Sequence, residues 1–426
     1  MNEKVNTNQK PLFHKDFLLV VIGQIISLFG NAILRFALPL YILNESGSPA
    51  LFGMVSASSF LPMVIMSPLG GIVADRVNKQ RIMVVLDFLT AVLITGFTIL
   101  SAQSFMIPLV VITMMILYSI QGAYTPAVQA SIPLLAVERN LMPANAVVNL
   151  VNSLSSLMGP VIGGILFGKL GLRPILIISA VCFLFSAILE LFIRIPHQKR
   201  PAEAGILSIV RKDMVESFRF MTHEFPVMVK VVGIVFSINL FLSSMIMIGL
   251  PVIVTKYLGL SSELYGINQG GLAVGGLLGG VLTGVLSKKL NTKDAWKLLL
   301  WCSLMIFPMG IVLFADLPAL VSFWVITILA TAMMVCTTIF SIQMLAFVQG
   351  NTPVELVGKV IACVMALSIA AQPVGQALFG LLFEKLEAYP GVIVLGAGFI
   401  SAGISLFSKS AFRQLTDIPA GEVCEA

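Results

Sequence analysis

The residues able to do chemistry are few and widely spaced. On the first long apolar run Gln24, Ser27, Asn31 and Arg35 recur three or four residues apart, which places them on one face of a helix. A cation and three polar groups on one stripe belong against a water-filled cavity rather than lipid, because charge in an apolar segment is expensive and usually functional. The alternative for Arg35 is that its long side chain snorkels to the outer interface. Two carboxylates interrupt other apolar runs. Asp87 lies beyond Arg81 by about 9 Å of helix, a depth that suits either a gate or a proton-exchanging site. Glu190 stands one turn before Arg194, which suits an interfacial ion pair or a place on a proton path. Asn145, Asn149, Asn152 and Ser156 form a second stripe, and Gln372 and Gln376 a short third. Hydrogen bonds between helices are the plainer reading of these amides.

Enzyme chemistry finds no such support. Gly163 to Lys169, GGILFGK, has the spacing of a phosphate loop, but Leu170 stands where a serine or threonine is needed and no strand precedes it. There is no His-Glu-x-x-His pair. Cys182, Cys302, Cys336, Cys363 and Cys424 have no paired spacing, and the four in apolar runs, all but Cys424, read as small packing residues. No cofactor, no metal and no enzymatic activity are expected.

The elements that must hold these residues are set by composition. Of 426 residues, 58% are hydrophobic and 11% charged, and the mean hydropathy is +1.00. A soluble domain carries about 25% charged residues, so lipid must cover most of this surface. Apolar runs fall near 17–43, 50–72, 82–101, 105–130, 143–168 and 174–193, and again near 227–254, 264–286, 296–314, 318–348, 360–383 and 391–408. Backbone groups in lipid must be satisfied internally, so these runs are helices. The fold expected is all-α, with about twelve membrane-spanning helices.

With the N-terminus inside, Lys169, Arg173, Lys256 and Lys385 fall outside, Arg35 falls within a span, and every other one of the 26 lysines and arginines lies inside. That bias predicts cytoplasmic termini. It also assigns the net charge of +6 to anionic lipid rather than nucleic acid. The longest inner segment, 196–226, carries Lys199, Arg200, Arg211, Lys212 and Arg219, and Leu207 to Met221 has the pattern of an amphipathic helix, or of a solvated linker.

The chain also repeats itself. GIVADRVNK from Gly71 corresponds to GVLSKKLNT from Gly284, and Gly163, Phe167 and Gly168 correspond to Gly375, Phe379 and Gly380, both at half the chain length. Two pseudo-symmetric six-helix bundles, 1–195 and 227–426, joined by a cytoplasmic linker at 196–226, follow from this duplication.

In GGIVADRVNKQR, Gly70 to Arg81, Asp75 and Arg76 sit at a helix end, and Asn78 suits a tight left-handed turn. This loop resembles the hallmark of the major facilitator superfamily, Gly-x-x-x-Asp-Arg between helices two and three. The resemblance implies a gate made by Gly71, Asp75, Arg76 and Arg81, with the acid facing the start of helix eleven near Gly358 and Lys359. SLMGPVIGGILFG, Ser156 to Gly168, resembles the Gly-Pro-x-x-Gly-Gly motif of proton-coupled drug exporters, carried here by Gly159, Pro160, Gly163 and Gly164. GQIISLFGNAIL from Gly23 and ELVGKV from Glu355 are similar to the macrolide-efflux group. Many exporters carry Arg-x-x-Gln-Gly on helix four. Here Gln121 and Gly122 match, and Tyr118 stands in place of the arginine.

The resemblance implies a monomeric exporter in the cell membrane. It would move an amphipathic small molecule by alternating access, with protons as coupling ion. Export of an endogenous compound such as a siderophore or lysolipid, and a membrane sensor that has lost transport, are the competing expectations. The orientation is tested by labelling. Cysteine introduced at Ser46 should react with an impermeant thiol reagent from outside, and cysteine at Asn78 should not. The reverse pattern would invert the topology.

Overall fold

The computed structural model describes residues 14–100, 106–136, 140–196, 206–286, 289–315, 317–353 and 356–413. The side chains of Ile72, Asp75, Met106, Met142 and 206–212 fall outside that description. Glu355, Lys199, Arg200 and Cys424, and the side chains of Asp75, Arg211 and Lys212, therefore lie outside it.

Among the described residues, twelve helices are long and apolar enough to cross a membrane. The first six are α1 (Lys15–Ser46), α2 (Pro49–Arg76), α3 (Lys79–Leu100), α4 (Met106–Leu135), α5 (Leu141–Leu170) and α6 (Leu172–Leu191). The linker contains α7 (Ile206–Arg219). The seventh span, Pro226–Tyr257, joins α8 (Pro226–Ile238) to α9 (Ser244–Pro251) through a wide π turn at Asn239–Ser243 and ends in a second at Val252–Tyr257. Then follow α10 (Ser262–Leu286), α11 (Ala295–Val312), α12 (Ala319–Gly350), α13 (Val357–Lys385) and α14 (Pro390–Arg413). No strand occurs among the described residues.

Packing divides the chain into two units. One is Met1–Ile42 with Ser58–Ile206, and the other is Leu43–Ala57 with Leu207–Ala426.

In the first unit α3 packs chiefly on α6 and α4. Its outer face is apolar, with Val85, Phe88, Val92 and Ile99 exposed as lipid requires. Thr90, Thr95 and Thr98 return their hydroxyls to carbonyls one turn back, at 2.8, 2.7 and 2.7 Å, so no donor is left facing hydrocarbon. At the other side of the unit α5 meets α1 through small residues. A Cβ added at Gly159 would overlap the Ala32 Cβ, and one at Gly163 would press the Phe36 ring at 3.2 Å. Close approach of this kind replaces the hydrophobic drive that lipid removes.

The loop after α2 departs from expectation. Asn78 is not left-handed, since no described non-glycine residue has positive φ. It instead caps α3, its Oδ1 accepting from the Gln80 amide at 3.0 Å.

In the second unit Glu384 of α13 accepts from Ser48 Oγ and, at 3.0 Å, from the Ala50 amide, so it caps the start of α2. Lys256 donates to the Gly47 carbonyl at 2.8 Å and pairs with Glu387 at 2.8 Å. The linker segment is helical. Met214, Val215 and Phe218 are exposed on it, while Asp213 and Glu216 hold Lys359 at 3.0 and 2.8 Å.

Gly159→Leu should lower the apparent melting temperature sharply, since overpacking costs about 1–3 kcal/mol. Gly96→Leu, where an added Cβ meets nothing within 4 Å, should leave it unchanged. Equal melting temperatures for the two variants would contradict the α1–α5 seam.

Candidate functional site

The polar stripe of α1 is where the first unit concentrates its hydrogen bonds. Every member reaches another helix. Gln24 Nε2 donates to Tyr124 Oη at 2.7 Å, Ser27 Oγ donates to Asp87 Oδ1 at 3.0 Å, and Asn31 Nδ2 donates to Gln121 Oε1 at 3.0 Å. Arg35 lays its guanidinium over the Tyr118 ring, 4.4 Å from the centroid. Tyr118, Gln121 and Tyr124 come from one face of α4, and Asp87 from α3. The tyrosine that replaces the expected arginine on α4 is thus met by an arginine from α1, an arrangement that cation–π attraction stabilises.

Behind this stripe lies a buried network. Asp87 is 2% exposed and Glu190 0%. Tyr124 Oη donates to Glu190 Oε1 at 2.7 Å. Asp87 Oδ2 and Glu190 Oε2 have no hydrogen-bond partner. No lysine or arginine among the described residues lies within 4 Å of either carboxylate. The interfacial pair of Glu190 with Arg194 does not form. α6 ends at Leu191, so Glu190 still turns inward with the helix, while the Arg194 amide beyond that end donates to Asp16 Oδ1 at 3.1 Å.

Two serines on α6 tie this corner to α1. Ser186 Oγ donates to the Gly23 carbonyl at 3.1 Å and Ser179 Oγ to the Gly30 carbonyl at 3.3 Å. Both pairs are seven residues apart in sequence, which is two helical turns on each side of the seam. At Gly30 a Cβ would meet the Cys182 Cβ at 3.2 Å.

A cavity of about 370 Å³ opens beside the network, lined by α1, α4 and α5. Gln24, Gln121, Tyr124, Thr125 and Gln129 supply much of its polar wall, and Leu28, Val128, Ile132 and Val148 its apolar patches. Asn145, Asn149 and Asn152 line it as well. They do not bridge helices as expected. Asn145 and Asn152 donate to carbonyls one turn back on α5, at 2.9 and 3.1 Å, and Ser156 does the same at 2.8 Å. The reason is positional: all of them are exposed on the side of α5 that faces open space.

The other expected residues lie elsewhere. Gln372 and Gln376 belong to α13 in the second unit, where Gln376 is buried and donates to Met247 Sδ at 3.1 Å. Gly358 opens the first turn of α13, and the neighbouring Lys359 is engaged by the linker acids. Arg76 and Gln80 are half-buried, Arg81 is exposed, and Gly71 has nothing within 4 Å of an added Cβ. Gly159 and Gly163 lie at the α1–α5 seam, against Ala32 and Phe36, while Gly164 is buried and Pro160 half-buried. Tyr124, Thr125, Gln129, Ser179 and Ser186 were not singled out from the sequence. The matched seven-residue spacing of Gly23 and Gly30 with Ser179 and Ser186 was the available signal.

Twelve apolar helices among the described residues, with polar groups of the first unit turned toward a small cavity, define a multi-pass membrane protein. The Major Facilitator Superfamily model matches residues 20–367, and the chain belongs to that family. It is 24% identical to macrolide efflux protein A of Streptococcus pyogenes over 94% of this chain and 97% of that protein. It is 23% identical to the multidrug efflux pump Tap of Mycolicibacterium fortuitum over 96% and 98%. Among solved structures, the nucleoside transporter NupG shares the fold with a TM-score of 0.74 at 12% identity, covering 94% of this chain and 99% of that one. The D-xylose–proton symporter does so with a TM-score of 0.67 at 16% identity, over 92% and 96%.

The Arg35–Tyr118 contact makes a direct prediction. Arg35→Ala and Tyr118→Leu should each lower thermal stability, and the double variant should lose less than their sum by about 0.5–2 kcal/mol. Tyr118→Phe, which keeps the ring face, should behave as wild type. Strict additivity would show that the two side chains do not interact.

Proposed function

We propose that the protein exports amphipathic small molecules of the drug class by alternating access, with proton antiport as the energy source. The observation that carries this reading is similarity along nearly the whole chain to two efflux proteins. The cavity of the first unit is consistent with it. Its wall mixes amides and hydroxyls with aliphatic patches and, among the described residues, carries no charged side chain, which suits a large neutral compound with scattered acceptors more than a compact ion. Amide side chains both donate and accept, so one wall can serve several acceptor patterns.

The membrane orientation in this reading puts both termini in the cytoplasm, and the gate implied for Asp75 and Arg76 closes the inner side. Protons are the coupling ion of choice because the first unit already buries two carboxylates beside the cavity.

The experiment is a susceptibility panel. Cells making the protein should tolerate severalfold more macrolide, and of some unrelated amphipathic antibiotics and dyes, than cells that lack it. Asn149→Ala and Gln121→Ala should reorder that tolerance rather than abolish it. Unchanged susceptibility across the panel, with the protein present in the membrane, would contradict drug export.

A further inference from the structure

We infer that Tyr124 carries protons between the polar cavity and a coupling site made by Glu190 and Asp87. This inference rests on the proton-antiport reading and assigns its site. Two side chains, Tyr124 and Gln24, both line the cavity and touch the buried network. Gln24 can donate and accept hydrogen bonds but does not exchange a proton under ordinary conditions. The phenol of Tyr124 accepts from Gln24 and donates to Glu190 Oε1, each at 2.7 Å, so it stands in line between the two.

The transfer is balanced. A hydronium ion in the cavity breaks one O–H bond and leaves as water; its proton bonds to the phenol oxygen of Tyr124 as the existing phenol O–H bond breaks and a new O–H bond forms on Glu190 Oε1. Tyrosine is neutral before and after, and Glu190 gains the proton. The reverse sequence returns it to the cavity. Asp87 is held by Ser27 at 3.0 Å and faced by Ser186, which shares α6 with Glu190.

The groups facing the pair fit a proton and little else. α1 presents Gly23, Gln24 and Ser27, α3 presents Asp87, α4 presents Tyr124, and α6 presents Ser186 with Glu190 itself. Arg35 lies about two turns further along α1, over Tyr118. The free oxygens Asp87 Oδ2 and Glu190 Oε2 are buried. Buried carboxyl groups without a cation are costly to keep charged, and exchange of a proton is the usual way that cost is met. The location also ties coupling to cargo: a molecule that competes for Gln24 at the cavity wall alters the hydrogen bonding of Tyr124, the entry to Glu190.

Purified full-length protein in proteoliposomes provides the test, with a labelled neutral, non-basic macrolide as probe. Two rates are compared: accumulation driven by an imposed pH gradient, and exchange of labelled for unlabelled macrolide without a gradient. Glu190→Gln keeps an acceptor for Tyr124 but cannot take a proton. It should lower the ratio of driven accumulation to exchange by about tenfold or more, and Tyr124→Phe should lower it in the same direction. Thr95→Val, on the lipid side of α3, should keep the wild-type ratio. A wild-type ratio in Glu190→Gln overturns the inference, and so does an equal loss of both rates, which would place Glu190 in substrate binding or folding. If the wild type itself ignores the pH gradient, the antiport reading fails. The site is then judged without any transported compound, by infrared titration. A buried carboxyl C=O band that is lost in Glu190→Gln supports proton binding there, and a spectrum unchanged by that substitution overturns it.

Discussion

Two carboxylates held away from water, with no lysine or arginine among the described residues within 4 Å, set the terms for the first unit. A buried polar atom without a partner costs about 1–3 kcal/mol, and an unpaired charge costs more. The helices around Asp87 and Glu190 are arranged to reduce that cost. α1 brings Gln24 and Ser27, α4 brings Tyr124, and α6 brings Ser186 along with Glu190. Convergence of four helices on one point requires close backbones, and the glycines of α1 opposite the serines of α6 supply that approach. The stability of this corner and its chemistry come from the same contacts.

The cavity is the open side of the same construction. α5 approaches α1 at Gly159 and Gly163, and nearer its start it turns Asn145, Asn149 and Asn152 into open space. One wall therefore carries hydrogen-bonding amides and hydroxyls, while the acids lie in the buried network beyond Gln24 and Tyr124. Gln24 and Tyr124 belong to both. In the proposed exchange, those two shared side chains are the link between occupancy of the cavity and the state of the acids. The second unit is built differently. Its seventh span is widened by π turns where Asn239 and Ser244 bond to the backbone of α13, and its polar contacts gather at the Glu384 cap and the Lys359 cluster.

Periodicity made much of this legible. Twelve runs of apolar residues translate directly into twelve spans because lipid leaves the backbone no other solution. The stripe of Gln24, Ser27, Asn31 and Arg35 was readable for the same reason, since polar residues at helical spacing in an apolar run must find partners. The partners were harder to see. Tyr124 reads as an ordinary aromatic in a membrane helix, and nothing in its neighbours marks the hydroxyl that meets Glu190. Glu190 was read beside Arg194 because sequence shows separation along the chain but not where a helix stops. Asn78 was read as a left-handed turn former, whereas its side chain capped the next helix. Asn145 and Asn152 of α5 were expected to cross-link helices and instead bond to their own backbone, because the space before them is open.

The central claim is that movement of cargo is exchanged for movement of protons. The direct measurement uses proteoliposomes containing the purified protein and an interior pH dye, with no pH gradient imposed. A neutral, non-basic macrolide is added outside, so that its downhill entry is the only driving force. The account predicts that the interior becomes alkaline as the macrolide enters, at a rate proportional to macrolide influx and absent from empty vesicles. Macrolide influx with no change in interior pH would contradict it.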